Sequence, residues 1–163
     1  MRRPGGSDSG STGRSKKGDP NVGPEVIDLR ALMHRPGPGT HRTTISLDGR
    51  TIETLADLPP ARGGLLFVGI NPSVVSVNAG HYHQGRLGRM FWRRLIVAGI
   101  VPQGTRLDAA DDALVAAGHG ITDLIKRPTP RDVASDAELT AGVGPLWQKV
   151  AIWRPGAVVF VYK

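Results

Sequence analysis

Two stretches of the chain are apolar at almost every position, and they predict the strands of a buried sheet. They are residues 65–70 and residues 157–162. Unbroken apolar runs of this length are typical of parallel strands that are covered on both faces. Helical patterns fill the chain between them. The order strand, helices, strand predicts an α/β fold of three layers (α/β/α), with a central parallel sheet between helices.

The first helical pattern follows a Gly-rich stretch that is predicted to be a loop as far as Gly88. Phe91, Leu95 and Ala98 recur at helical spacing and would form one buried stripe. A helix is therefore expected from about residue 89 to residue 98.

Two further helices are indicated by their end signals. Asp108 can cap one helix, which Gly118 would stop. Ser135 and Glu138 form a capping box for another helix, which continues toward residue 153. Pro145 lies inside that last pattern, so the segment is either one kinked helix or two shorter ones.

The pattern changes before residue 64. Alternating segments flank Asp48-Gly49, a dipeptide that favours a two-residue hairpin turn. Residues 1–24 consist of Gly, Ser, Pro and charged residues with almost nothing to bury, and are predicted to be a disordered basic tail. The predicted organisation is thus a tail (1–24), an extension with a β-hairpin (25–63) and an α/β domain (64–163).

Charge and composition narrow the function classes. The formal net charge is +7, and residues 1–18 contribute five basic residues against one acidic residue. This balance fits a polyanionic partner such as nucleic acid, and equally a solvated, charge-rich surface. The chain has no Cys, which excludes disulfides, zinc thiolates and iron–sulfur clusters. No apolar run is long enough for a membrane span and no secretory signal is present, so we expect a cytoplasmic, nucleoid-associated protein.

Chemistry is most expected where the first buried strand ends. Ligands of open α/β sheets bind beyond the carboxyl ends of the strands, and Asn71-Pro72 lies there. Taken alone, an Asn-Pro dipeptide after a strand indicates only a turn.

The sequence around Asn71 resembles the mismatch-specific uracil and thymine DNA glycosylases of the uracil-DNA glycosylase superfamily. The similarity extends over residues 64–163 in several separated motifs that follow the family's order. These are Gly69-Ile70-Asn71-Pro72, Gly80-His81, Phe91-Trp92, Ala98-Gly99, the stretch 120–129 and Glu138-Leu139.

The resemblance implies a DNA repair enzyme that flips a base out of the duplex and hydrolyses its N-glycosidic bond. By position, Asn71 would hold the attacking water. A neutral amide cannot remove a proton, so the reaction would depend on a base that leaves as a stable anion, such as uracil. The expected partner is DNA that contains uracil or G:U and G:T mismatches. A monomer is expected, without a cofactor.

The resemblance also implies a base pocket beside Asn71. Ile70, Pro72 and Ser73 would contact the base, and Ser73 stands where the family commonly has Gly. An aromatic ring from the following loop would stack on the base, and either Tyr82 or His83 could supply it.

Arg86, Arg89 and Arg93 are candidates for contacts with DNA phosphates. They share one helical face if the helix begins early, and no acidic residue occurs from residue 87 to residue 106. The alternative is a solvated helix face. A metal site is not expected, because His81-x-His83 has no carboxylate nearby in sequence and the other histidines are scattered.

Family members continue into a further strand and a second active-site loop, so the resemblance implies that the 64–163 domain is incomplete at its C-terminal end. A non-catalytic DNA-binding remnant of the same fold is therefore the alternative function.

Overall fold

The computed structural model describes residues 39–47, 49–130 and 133–162, and it begins with a β-hairpin. Strand β1 (Arg42–Leu47) pairs antiparallel with β2 (Arg50–Leu55). Leu47 lies opposite Arg50, which leaves a two-residue turn, and Gly49 has the positive φ (+71°) that such turns require. The predicted hairpin is present. Asp48 and the predicted disordered tail lie outside the described residues.

Three parallel strands form the central sheet. They are β3 (Leu65–Gly69), β4 (Gly120–Asp123) and β5 (Ala157–Phe160), in the order β4-β3-β5. The two apolar runs supply β3 and β5, as predicted, although β5 ends two residues earlier than its run. The pattern did not indicate β4, because half of this four-residue strand is polar.

The predicted loop before Gly88 contains a short helix, α1 (Val74–Ala79). Ser73 caps it by accepting a hydrogen bond from the Ser76 N–H, and Gly80 ends it with a φ of +76°. Helix α2 (Arg86–Val97) begins three residues earlier than expected.

The two later helices follow most of their end signals. Helix α3 (Ala110–Ala116) comes directly after a 3-10 turn (Leu107–Ala109). The prediction that Asp108 caps it is wrong, since that carboxylate pairs with Arg106 instead. Ser135 and Glu138 form the predicted capping box of α4 (Asp136–Trp153). This is one continuous helix that includes Pro145.

Apolar side chains cover both faces of the sheet, and this confirms the three-layer α/β/α class. One cluster includes Phe67 on β3 and Trp92 on α2. The other includes Leu66 and Val68 on the opposite face of β3, with Leu146 of α4. None of the helices in the described part of the chain combines the length and apolar character that a membrane span requires.

A buried charge network fixes the segment between the hairpin and the sheet. The Asp57 carboxylate forms ion pairs with Lys126 and Lys149, at 2.8 Å for Lys149. Burial alone would raise the pKa of Asp57, but the two lysines outweigh it and hold the pKa well below its ordinary value of 3.8. Asp57 is therefore ionised at neutral pH. Its ion pair with Lys149 connects the segment that precedes β3 to helix α4.

Candidate active site

A pocket of about 420 Å³ opens at the carboxyl ends of β3 and β4. This volume is within the range of roughly 300–1,000 Å³ in which proteins hold small organic ligands. Seven of the residues selected from the sequence line it. They are Ile70, Asn71, Pro72, Ser73, Tyr82, His83 and Arg86.

Asn71 presents its amide oxygen as a free acceptor. Its Nδ2 donates to the Thr129 hydroxyl oxygen at 2.7 Å and to the Arg127 carbonyl oxygen at 3.1 Å. Both hydrogens of the NH₂ group are thereby used, and the Arg127 carbonyl can only accept, so the orientation of the amide is fixed. Asn71 is 8% exposed, and its buried Oδ1 has no partner among the described residues.

The segment that holds Asn71 is itself anchored to α4. Arg127 forms a two-pronged ion pair with Glu138, at 2.6 and 3.0 Å. The hydrogen bond from Arg127 lowers the pKa of Glu138 to about 2, with further contributions from the Ser135 contacts. In the sequence Glu138 is both a capping residue and part of a motif of the family resemblance, and neither role indicates an ion pair with Arg127. Its second partner, Arg127, connects the start of α4 to the pocket.

Tyr82 borders the pocket but is part of the core. It is 2% exposed, its hydroxyl donates to the Ala56 carbonyl oxygen at 2.9 Å, and its own carbonyl accepts from the Trp92 indole N–H. Burial raises the pKa of Tyr82 well above its ordinary value, and the negative charges of Asp123 and Asp57 add to the shift. The phenol is therefore neutral and fixed in place.

His83 lines the same pocket as part of an aromatic cluster. Its ring centroid lies 4.6 Å from that of Phe91, which also lines the pocket. Burial lowers the pKa of His83 to about 4, so the imidazole is neutral at physiological pH. Phe91 was expected to face only the core; in the structure it reaches the pocket as well.

Gly88 allows α2 to approach the backbone of His83. A Cβ added at Gly88 would overlap the carbonyl group and Cα of His83. His83 has a φ of +54°, a conformation that non-glycine residues rarely adopt. This close contact therefore determines where the His83 ring stands, and Gly88 received no such role from the sequence.

The three arginines follow the early start of α2. Arg86, Arg89 and Arg93 occupy the first, fourth and eighth positions of that helix and are exposed. They share one helical face. Arg86 lines the pocket. Leu87, which is 77% exposed, stands at the same rim.

Asp123 is a pocket residue that sequence analysis missed. It ends β4 opposite Gly69 of β3, and its buried carboxylate reaches the space that a Gly69 side chain would fill. A carboxylate in this position can accept hydrogen bonds from an N–H edge of a ligand. Asp123 could have been found from the sequence if β4 had been predicted, because a polar residue at the carboxyl end of a parallel strand is a candidate for ligand contact.

His81 and His83, the weak metal pair of the sequence, are separated by the fold. His83 faces the aromatic cluster, whereas the His81 Nδ1 lies 2.9 Å from an Asp111 carboxylate oxygen.

The pocket lining combines a neutral imidazole, aromatic surface, an amide acceptor and one carboxylate. Such a set suits a planar, polar organic ring.

Comparison with known families gives one match. Residues 56–162 match the uracil DNA glycosylase superfamily, and the matched segment contains every pocket residue described above. No match was found among individual curated proteins.

Proposed function

Because the chain belongs to the uracil DNA glycosylase superfamily, a group of hydrolytic DNA glycosylases, we propose that it removes uracil or mispaired thymine from DNA. The observation that carries the proposal is the Oδ1 of Asn71, which has no partner among the described residues and belongs to a residue that lines the pocket. An enzyme that acts on a stacked base must flip it into such a pocket.

Asn71 holds the attacking water. The two donor hydrogens of its amide are engaged, so Oδ1 accepts a hydrogen bond from the water and directs the water's lone pair toward the sugar C1′. The C1′–N bond breaks and the base leaves with the bonding electrons. The water oxygen bonds to C1′ and gives up one proton, which the departing base anion or bulk water takes up.

Asn71 cannot act as a general base, and this restricts the substrate. The step requires a base that departs as a stabilised anion, which uracil and related pyrimidines do. A purine would have to be protonated before it leaves. The reaction class is therefore pyrimidine excision.

His83 and Phe91 supply the aromatic surface that stacks on the base. Of the two candidates from the sequence, Tyr82 is held by the hydrogen bonds of its hydroxyl and carbonyl, whereas the His83 ring joins Phe91 at the pocket wall. A neutral imidazole stacks on a neutral base without bringing a charge into the pocket. Ile70, Pro72 and Ser73 complete the contacts with the base.

The exposed face of α2 contacts the DNA strand. Arg86, Arg89 and Arg93 neutralise phosphates beside the pocket, and the exposed Leu87 offers apolar surface to the neighbouring bases. The helix contains no acidic residue that would oppose this contact.

Release of base from a panel of labelled oligonucleotides tests the proposal. We expect uracil release from single-stranded DNA and from G:U pairs, slower release from A:U pairs, and thymine release from G:T pairs if the pocket admits the methyl group. A binding measurement on the same oligonucleotides separates the alternative function. Binding without release of any base would identify a non-catalytic DNA-binding protein.

A further inference from the structure

Four potential metal ligands converge away from the pocket, on residues that are far apart in sequence. They are His41, His81, Asp111 and Asp112, and one nitrogen or oxygen from each lies within 4.8 Å of the others. His41 precedes β1, His81 follows α1, and the two aspartates belong to α3. The cluster thus joins the hairpin, the pocket loop and the helical layer.

We propose that these four side chains bind a divalent transition-metal cation, with Zn²⁺ as the best match. Two imidazoles and two carboxylates are ligands that Zn²⁺ takes in tetrahedral sites. This inference is independent of the proposed glycosylase activity.

The distances fit such a site after small side-chain movements. The Nε2 of His41 lies 2.8 Å from Asp112 and 3.8 Å from Asp111, and the Nδ1 of His81 lies 2.9 Å from Asp111. Metal–ligand bonds of roughly 2.0–2.2 Å place tetrahedral ligand atoms about 3.4 Å apart. The observed separations lie on either side of that value.

Burial and charge favour a cation here. The side chains of Asp111 and His41 are almost fully enclosed, and those of Asp112 and His81 are 19% and 18% exposed, which leaves a path from solvent. Two carboxylates lie beside two imidazoles in this cluster, and enclosed charges in proteins are paired or coordinate metals.

Outer contacts already orient the carboxylate ligands. The Tyr82 N–H donates to Asp111 at 2.7 Å, and the Gly39 N–H donates to Asp112 at 3.3 Å. Hydrogen bonds of this kind fix the ligands of metal sites. Because Tyr82 is next to both His81 and His83, a bound cation would also stabilise the loop that carries the pocket histidine.

Zinc binding to the untagged, chelator-treated protein of 163 residues tests the proposal. Calorimetric titration with Zn²⁺ should show one equivalent bound. Asp112→Asn and His81→Ala should each weaken binding by at least the roughly 10-fold that even the loss of an outer contact costs. Asp108→Asn is the matched control, because that exposed aspartate is ion-paired with Arg106 and carries negative charge near His81 without belonging to the cluster. It should bind like the wild type.

Two further measurements detect metal binding at this cluster without an activity assay. Co²⁺ should give the intense visible absorption of a tetrahedral nitrogen and oxygen site, and Zn²⁺ should raise the unfolding temperature of wild type and Asp108→Asn but not of Asp112→Asn. Less than one equivalent of Zn²⁺ bound by wild type, or equal binding by all variants, would overturn the proposal and leave a hydrogen-bonded His–Asp cluster.

Discussion

At the scale of single residues, the proposed reaction depends on where the Asn71 amide points. Two acceptors, the Thr129 hydroxyl and the Arg127 carbonyl, hold its NH₂ group and leave Oδ1 without a partner among the described residues. A substitution at Thr129 can remove one of these acceptors, whereas the Arg127 acceptor is a backbone group. The amide would then rotate, and the water would no longer face C1′.

Thr129→Val removes one of these acceptors and keeps the side-chain shape. We expect the rate of uracil release to fall on the order of 10²-fold, as for a small misplacement of a reacting group, with little change in DNA affinity. Thr129→Ser, which restores the hydroxyl, should recover most of the rate. Equal rates for the Val and Ser variants would show that Thr129 does not position Asn71.

Gly88→Ala tests the position of the His83 ring. The added methyl group would push against the His83 backbone and move the ring away from Phe91, so the KM for a uracil oligonucleotide should rise. Gly144→Ala is the control, since Gly144 also lies within a helix but has open space around it. A Gly88 variant with the kinetics of the control would remove the role assigned to His83.

At the scale of elements, α2 is the helix that we propose to contact DNA. An arginine that neutralises one phosphate contributes roughly 0.9 to the steepness of log K against log salt on duplex DNA. Changing Arg86, Arg89 or Arg93 to Gln should therefore flatten the slope stepwise. Arg62→Gln is the control, because Arg62 precedes β3 at the opposite end of the sheet. Unchanged slopes for the α2 variants would mean that this face is only solvated.

The elements show which signals a sequence carries reliably. Long apolar runs and the Ser135–Glu138 capping box gave β3, β5 and the start of α4. Helix α1 was not predicted because three of its six residues are valine, a residue type that is enriched in strands. Strand β4 was not predicted because Thr122 and Asp123, half of its residues, are polar, although both are buried in the structure.

The pocket was predictable where it is local in sequence. The lining contributed by Ile70, Asn71 and Pro72 follows from one motif at a strand end. The partners of Asn71 come from more than fifty positions away, and so do the contacts between His41 and α3. No pattern along the chain indicates which distant side chains the fold brings together.

At the scale of the whole molecule, the buried pairing of Asp57 with two lysines contributes to stability. Asp57→Asn leaves Lys149 enclosed without its carboxylate and should cost about 3 kcal/mol of unfolding free energy at pH 7. Because the folded pKa of Asp57 lies below its ordinary value, the contribution is complete above about pH 4 and is lost as the pH falls further.

Urea unfolding at pH 7, 4 and 2.5 measures this pH dependence. The difference between wild type and Asp57→Asn should narrow at the lowest pH, whereas Glu53→Gln on the exposed hairpin should match the wild type throughout. A difference of constant size across the three pH values would show that the ion pairs are not its source.

Uracil release under single-turnover conditions by wild type, Asn71→Ala and Asn78→Ala tests the central claim most directly. Asn78 is an exposed asparagine on α1 and serves as the matched control. Wild type and Asn78→Ala should release uracil from single-stranded DNA at the same rate. Asn71→Ala should be slower by roughly 10²-fold or more, with unchanged DNA affinity. Release by Asn71→Ala at the wild-type rate, or no release by wild type that binds the same DNA, would contradict the claim.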